Sequence, residues 1–463
     1  MEDEVKTKNR IGQDFTTLGL FKFALPGFIM QMFNQVYKSL DDALFISRYV
    51  GEKALAGFNI LNPISCVQLA FAHLFSLGSA NISARLMGEG KQKEAKRIFS
   101  RMVIGAFVFG SIFAIIINIF SDKLLMLLGA DEELKSYAMY QLRIVLSLTP
   151  LTLMSSVFTN YYSTAGKPKM GMICSIVQGI LNIGLDYLLI VRLNYGIIGA
   201  AIATATGEIA IFVIGVFFFI NTNNEIHFVK PEGKYIETSI ECFKYALPQF
   251  INSVSIALTT LYTNYLLLDY IGSSGIAANA IISDIRAIIT AGLIGIAIST
   301  SPVVAYNYGN RNTVKLKKVL GSILKIGVFG SLILIVIGLV MRVPFITIFM
   351  SENSSQVFYD MTYLGLTIEI FSMPFIAGCV QTSRIFIAFG NTKVASFISI
   401  FRNLVLKLVV LFVLPMMLDT LGIWLAVPVG EGLACILCLF FLYINRNNYG
   451  YGKSGEAKYL NNY

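Results

Sequence analysis

The sequence predicts an all-α integral membrane protein with twelve transmembrane helices in two pseudo-symmetric six-helix bundles. Three observations carry that expectation. First, of 463 residues 56% are hydrophobic and only 14% charged, against about 25% charge in a soluble domain, and the mean hydropathy is +0.69. Second, twelve apolar runs are each long enough to cross a bilayer, which takes about 20 residues of helix. Third, the chain repeats itself at half its length.

Ala24-Leu25-Pro26 returns as Ala246-Leu247-Pro248. The turn YVGEKALA from Tyr49 returns as YIGSSGIA from Tyr270, and ARLMGEGKQKEAKRI from Ala84 returns as AYNYGNRNTVKLKKV from Ala305. Both later pairs lie 221 residues apart, so the register holds. In so apolar a chain, a half-length repeat points to a transporter with its working cavity between two similar bundles.

In order, a polar segment 1–19 (MEDEVKTKNR at its start, unlike a secretory signal peptide) precedes the N-lobe, 20–220. Its spans run roughly over 20–46, 54–83, 98–120, 137–165, 169–193 and 197–220. The longest polar stretch, 221–241, is the inter-lobe linker, and His227 reads there as a solvated loop residue. The C-lobe, 242–444, has spans at roughly 242–268, 276–306, 318–342, 358–389, 393–416 and 421–444, followed by a polar tail, 445–463. Spans with Pro near one end (Pro26, Pro150, Pro248, Pro374) are candidates for kinks.

Orientation follows from loop charge. The loop at 85–101 holds Arg85, Lys91, Lys93, Lys96, Arg97 and Arg101, and its repeat at 306–318 holds Arg311, Lys315, Lys317 and Lys318. The opposite side has Arg48, Lys53, Lys123, Lys135, Arg192 and Arg342 spread over six loops. The positive-inside rule places both termini in the cytoplasm. It also accounts for the net charge of +9, so nucleic acid is not an expected partner; the bilayer is. No GxxxxGK[ST] loop is present and ATP is not expected to be used. Cys66, Cys174, Cys242, Cys379, Cys435 and Cys438 lie in or beside apolar segments and read as packing residues. His73 reads as a packed helix residue. No metal-ligand spacing appears, neither a structural metal nor a cofactor is expected, and an enzyme is not expected.

Polar residues inside the membrane cost about 2.5–3.5 kcal/mol per charge on insertion scales, so they invite a functional reading. On the fifth span Gln178, Asn182 and Asp186 recur every four residues and share one helical face. The first span carries Gln31, Asn34, Gln35, Lys38, Asp41 and Asp42, and Lys38 is spaced to pair with either acid. The sixth offers Thr204 and Glu208. Together these make an oxygen-rich pocket suited to Na⁺, and equally to protons, because two close carboxylates in a low dielectric do not easily both ionise. In the second half, Leu406 and Val410 stand where Asn182 and Asp186 stand in the first. Its charges Asp284, Arg286, Glu369, Arg384, Arg402 and Lys407 are mixed in sign and expected to pair with one another; the alternative is that some face the cavity.

An ordered set of segments then carries a resemblance: the two ALP triplets, DALFISRYVGEKALA from Asp42, NYYSTAGKPKMGM from Asn160, LNIGLDYLLI from Leu181, YGIIGAAIATATGE from Tyr195 and GIWLAVPVGE from Gly422. With these, the chain resembles the multidrug and toxic compound extrusion (MATE) family from Ala24 to about Tyr443. The resemblance implies a V-shaped pair of lobes with alternating access, in the cell membrane, here a bacterial inner membrane, working as a monomer. It implies secondary active antiport: export of small organic drugs, often cationic and aromatic, driven by H⁺ or Na⁺ influx. By it the coupling site is Asp42, Asn182, Asp186 and Thr204. Asp41 replaces Asp42 if the distance from Tyr37 sets the register, and Gln178 and Lys38 are candidate modulators. Pro26 matches the first-helix proline proposed to permit bending. Lys38 departs from the Tyr common at its position, and Ser163 from a common Arg. The alternative reading is a flippase or exporter of a lipid-linked or amphipathic metabolite.

Overall fold

The computed structural model describes residues 10–452 apart from 52, 53, 55, 56, 59, 129, 131, 234 and 350–354. In the first helix it describes no side chains at 38–44, 47 and 48. Every regular element among the described residues is helical.

In the first half these are α1 (Thr17–Tyr49), α2 (Asn62–Gly88), α3 (Gln92–Ile119), the short α4 (Ser121–Leu127), α5 (Glu132–Ile144), α6 (Thr149–Thr164), α7 (Pro168–Asp186) and α8 (Gly196–Ile220). The second half has α9 (Tyr235–Tyr270), α10 (Ser273–Gly309), α11 (Thr313–Phe349), α12 (Gln356–Ile370), α13 (Met373–Ala388), α14 (Thr392–Ile400) and α15 (Leu406–Asn445). Eight helical runs among the described residues are long and apolar enough to cross a membrane, and the bent pair α12–α13 adds a ninth. The run 392–445 is 54 residues long, more than twice what one crossing needs. Asp419 breaks it with left-handed backbone (φ 49°), and the Phe397 and Phe441 rings meet 5.5 Å apart across the resulting hairpin. With α1, α9 and both arms of that hairpin, the twelve expected helices are accounted for.

Prolines and turns set the boundaries. Pro63 and Pro168 sit in the first turns of α2 and α7, where a missing N–H costs nothing. Pro150 starts α6 after a 3₁₀ turn at Leu146–Leu148, and Pro374 starts α13 after a 49° bend. Pro26 and Pro248 lie inside α1 and α9. The repeat extends to backbone geometry. Gly51 (φ 121°) and Gly272 (φ 92°) make equivalent turns, while Gly90 (φ 79°) has as its counterpart Arg311 (φ 53°), a non-glycine held left-handed.

The described residues divide into two compact units: 10–13 with Phe33–Ala246, and Asp14–Met32 with 247–452. Thus α1 and α9 each change unit along their length. In the second unit Gly27 of α1 lies against Gly295 of α10, so close that a Cβ on Gly27 would fall 2.9 Å from the Gly295 carbonyl oxygen. Such glycine pairs let membrane helices approach backbone to backbone. In the first unit α9 begins against α2, with the Phe243 ring edge-on to Phe75 at 5.4 Å.

The first unit is cored by fully buried rings, Phe99, Phe158, Tyr161, Tyr162 and Phe219. The linker joins that core. Phe228 packs 5.1 Å from Phe99, Val229 N donates to Ser100 Oγ at 3.0 Å, and Ile226 is fully buried. His227, expected to be solvated, is half-buried and its Nδ1 lies 2.9 Å from the Asn224 carbonyl oxygen. The second unit is cored by Ile282, Ile285, Leu293, Leu366, Ile370 and Trp424. Tyr449 of the polar tail stacks on Phe389 at 4.4 Å.

Outward faces are apolar as well. Ile104, Phe107, Val108, Ile112, Ile115 and Ile119 form an exposed stripe on α3, and Phe329, Leu332, Ile333, Val336 and Val340 one on α11. Water would not tolerate so continuous a patch; lipid does.

Candidate functional site

In the first unit the polar face of α7 turns away from the lipid-type surface. Ile180 and Ile183 are exposed, whereas Asn182 is 0% and Asp186 1% exposed. Gly207 brings α8 against this face: a Cβ there would lie 3.1 Å from Gln178 Cγ. Two cross-helix bonds result. Asn182 Nδ2 donates to Thr204 Oγ1 at 3.4 Å, and Gln178 Nε2 donates to Glu208 Oε1 at 2.9 Å. Asp186 follows one turn on and has interactions of its own, as do Asn182, Thr204 and Glu208. Directly after Asp186 the helix widens into a π turn over Tyr187–Arg192, a distortion frequent at functional sites. This group offers carboxylate, amide and hydroxyl oxygens to a cation.

Of the other candidates, Asp41, Asp42 and Lys38 have side chains outside the described residues. Pro26 is buried in the α1 segment that belongs to the second unit. Structure thus joins Asn182 to Thr204 and Gln178 to Glu208, with Asp186 on the same α7 face.

The second unit holds a different constellation around a partly open cleft of about 270 Å³. Arg402 Nε donates to Glu431 Oε2 at 2.8 Å, and Arg286 Nη1 to both Glu369 oxygens at 3.1 Å. Arg384 Nη2 donates to Gln249 Oε1 at 3.2 Å. Asp284 instead faces outward, exposed. Arg402 and Asn403 lie in a second π turn, Phe401–Val405. Val410, opposite in sequence to Asp186, is a buried member of the apolar core. Sequence reasoning missed Glu431 and Gln249 as partners. The signal for Glu431 was present: YGIIGAAIATATGE and GIWLAVPVGE both end in Gly-Glu, so Glu431 corresponds to Glu208.

A sequence profile described as MatE matches residues 26–188 and 248–413, once in each half and starting at each repeated proline. The chain belongs to the MatE family. Among curated relatives it is 25% identical to the multidrug export protein MepA of Staphylococcus haemolyticus over 433 residues, 92% of this chain and 93% of that one. It is 23% identical to MepA of Staphylococcus aureus, covering 92% of this chain and 94% of the relative. Among solved structures it superposes on a MATE protein in complex with MaL6 with a TM-score of 0.89, at 20% identity, covering 96% and 99% of the two chains. It matches an outward-facing multidrug resistance MATE transporter of the MOP superfamily equally well, with a TM-score of 0.89 at 19% identity over 97% and 99% of the chains. The MatE fold, with its internal repeat, is therefore that of this protein, and its apolar helices make it a multi-pass membrane protein.

Proposed function

We propose that this MatE chain is a secondary antiporter that exports small organic drugs and is driven by inward movement of H⁺ or Na⁺ through the polar group of its first unit. The observation that carries this reading is the burial of Asp186 and Asn182 beside Thr204 in two helices whose residues are mostly apolar. A carboxylate at such a position is expensive unless an ion or a proton neutralises it, and repeated neutralisation and release is what coupling requires. Multidrug export by the MepA relatives supports the substrate class. The half-chain repeat supports alternating access, since related bundles rocking about a site is how repeat-built transporters work.

Under this reading Asp186 carries the exchangeable charge, Asn182 and Thr204 supply neutral oxygens, and an acid of the first helix, Asp41 or Asp42, completes the set. Lys38, three or four residues before that acid in sequence, favours a proton over Na⁺ as the neutralising ion. Replacement Lys38→Ala tests this: the pH dependence of transport shifts, and an unchanged profile contradicts it. The protein then resides in the cell membrane as a monomer, with both termini cytoplasmic by its loop charges.

A further inference from the structure

We propose that the cleft of the second unit is a binding site for an organic anion, a carboxylate carried on an apolar body. This site is separate from the polar group of the first unit and does not rest on that group's role in coupling. Four cations line the cleft, Arg286, Arg384, Arg402 and Lys407, with Glu431 as its lining acid. Two of the four are matched within the protein. Arg402 pairs with Glu431 at 2.8 Å, and Arg286 with Glu369, from the adjoining pocket, at 3.1 Å. Among the described residues the other two are not. Arg384 is only 9% exposed, and among the described residues its guanidinium bonds to the neutral amide oxygen of Gln249 at 3.2 Å. Lys407 lines both pockets, and among the described residues no carboxylate lies within ion-pair distance of it.

Two cations in excess, held by α13 and α15 inside an apolar bundle, are costly without a counter-charge. A carboxylate seated between them relieves that cost and gains charge-assisted hydrogen bonds. An organic cation would meet repulsion at the same place. Ile256, Ile376, Val380 and Val427 form the apolar wall, so a bare inorganic anion would leave most of the cleft unfilled. Symmetry makes the contrast sharper. Where the first half has the polar but uncharged Gln178 facing Glu208, the second has Arg402 facing Glu431, and it adds Lys407 one helical turn away.

The chain has one tryptophan, and it reports on this place. Trp424 is 4% exposed and lines the pocket that shares Lys407 and Arg286 with the cleft. The experiment titrates the purified full chain in a neutral detergent with dansylglycine and, separately, with its neutral amide, and reads energy transfer from Trp424. Trp424→Phe supplies the background. Hydrogen bonds to charged groups predict that the carboxylate probe binds roughly ten- to a hundredfold more tightly than the amide. In the double variant Arg384→Gln/Lys407→Gln the two probes then bind within about twofold of one another, and Arg384→Lys/Lys407→Arg keeps the preference. Equal affinities of the two probes for the native chain overturn the proposal without recourse to any variant, as does an undiminished preference in a double variant that elutes as a monodisperse peak. No ion gradient is applied, so this outcome is independent of whether Asp186 couples transport.

Discussion

Arg402 meets Glu431 at 2.8 Å in the second unit, at the place where Gln178 meets Glu208 at 2.9 Å in the first. One pair ties the fifth span to the sixth, the other the eleventh to the twelfth. The scaffold thus keeps the same crossing point while the charge of the donor changes. A buried ion pair is weak evidence of stability, but breaking one leaves an uncompensated charge. Arg402→Gln is expected to cost about 3–5 kcal/mol. The double variant Arg402→Gln/Glu431→Gln, which removes the charge from both sides, is expected to cost clearly less. Thermal unfolding in nanodiscs of Arg402→Gln, Glu431→Gln and the double completes the cycle; additive losses would mean the pair is not coupled.

Helix approach at Gly27 gives a second expectation. A side chain there would strike the Gly295 carbonyl and Ser299, and overpacking costs about 1–3 kcal/mol. Gly27→Val should therefore lower the melting temperature and the yield of folded protein. Gly321 is the contrast: nothing lies within 4 Å of its Cβ position, so Gly321→Ala should leave melting unchanged or slightly higher. Equal behaviour of the two variants would argue against close packing of α1 on α10.

The linker supplies a pH-dependent prediction. Glu225 Oε2 is buried without a hydrogen-bond partner among the described residues. Burial pushes its carboxyl up to about 7 from an ordinary 4.5, against the opposing pull of Arg10, Lys167 and Lys96. The folded chain therefore holds this proton when the unfolded chain has lost it, so stability falls as pH rises through the window from about 4.5 to 7. Glu225→Gln removes that loss. After allowance for solvent screening, it should melt about 1–2 °C above the native chain at pH 8 and level with it at pH 4. A variant that melts no higher than the native chain at pH 8 would contradict this.

Thr204 accepts the Asn182 amide hydrogen bond, which is worth about 1 kcal/mol. Thr204→Val keeps the shape and removes the acceptor. Under the coupling reading, the half-saturating concentration of the driving ion should rise roughly three- to tenfold, with the drug's own affinity unchanged. A change confined to drug affinity would place Thr204 in the drug site instead.

Much of this architecture was legible in the chain. Apolar runs located the helices because a bilayer demands about 20 residues of them, and the repeat survived because turns such as Gly51 and Gly272 need the same backbone. Four-residue spacing put Gln178, Asn182 and Asp186 on one face. What periodicity does not carry is the partner of each group. It took the fold to join Gln178 to Glu208 and Arg402 to Glu431, each about thirty residues apart in sequence. Helix boundaries also escaped hydropathy. The helix α2 starts at Asn62, where Pro63 sets a first turn, and the polar residues 235–241 form the first turns of α9. The docking of 221–233 within the first unit was hidden by its polarity: its apolar anchors are Ile226, which is fully buried, and Phe228, 5.1 Å from Phe99.

The decisive measurement is dye efflux from proteoliposomes containing either the native chain or Asp186→Asn, with H⁺ and Na⁺ gradients imposed separately. The native chain should move dye uphill under at least one gradient. Asp186→Asn, inserted and folded to the same extent, should lose uphill transport under both. Uphill efflux by Asp186→Asn at the native rate would contradict the assignment of coupling to the first unit.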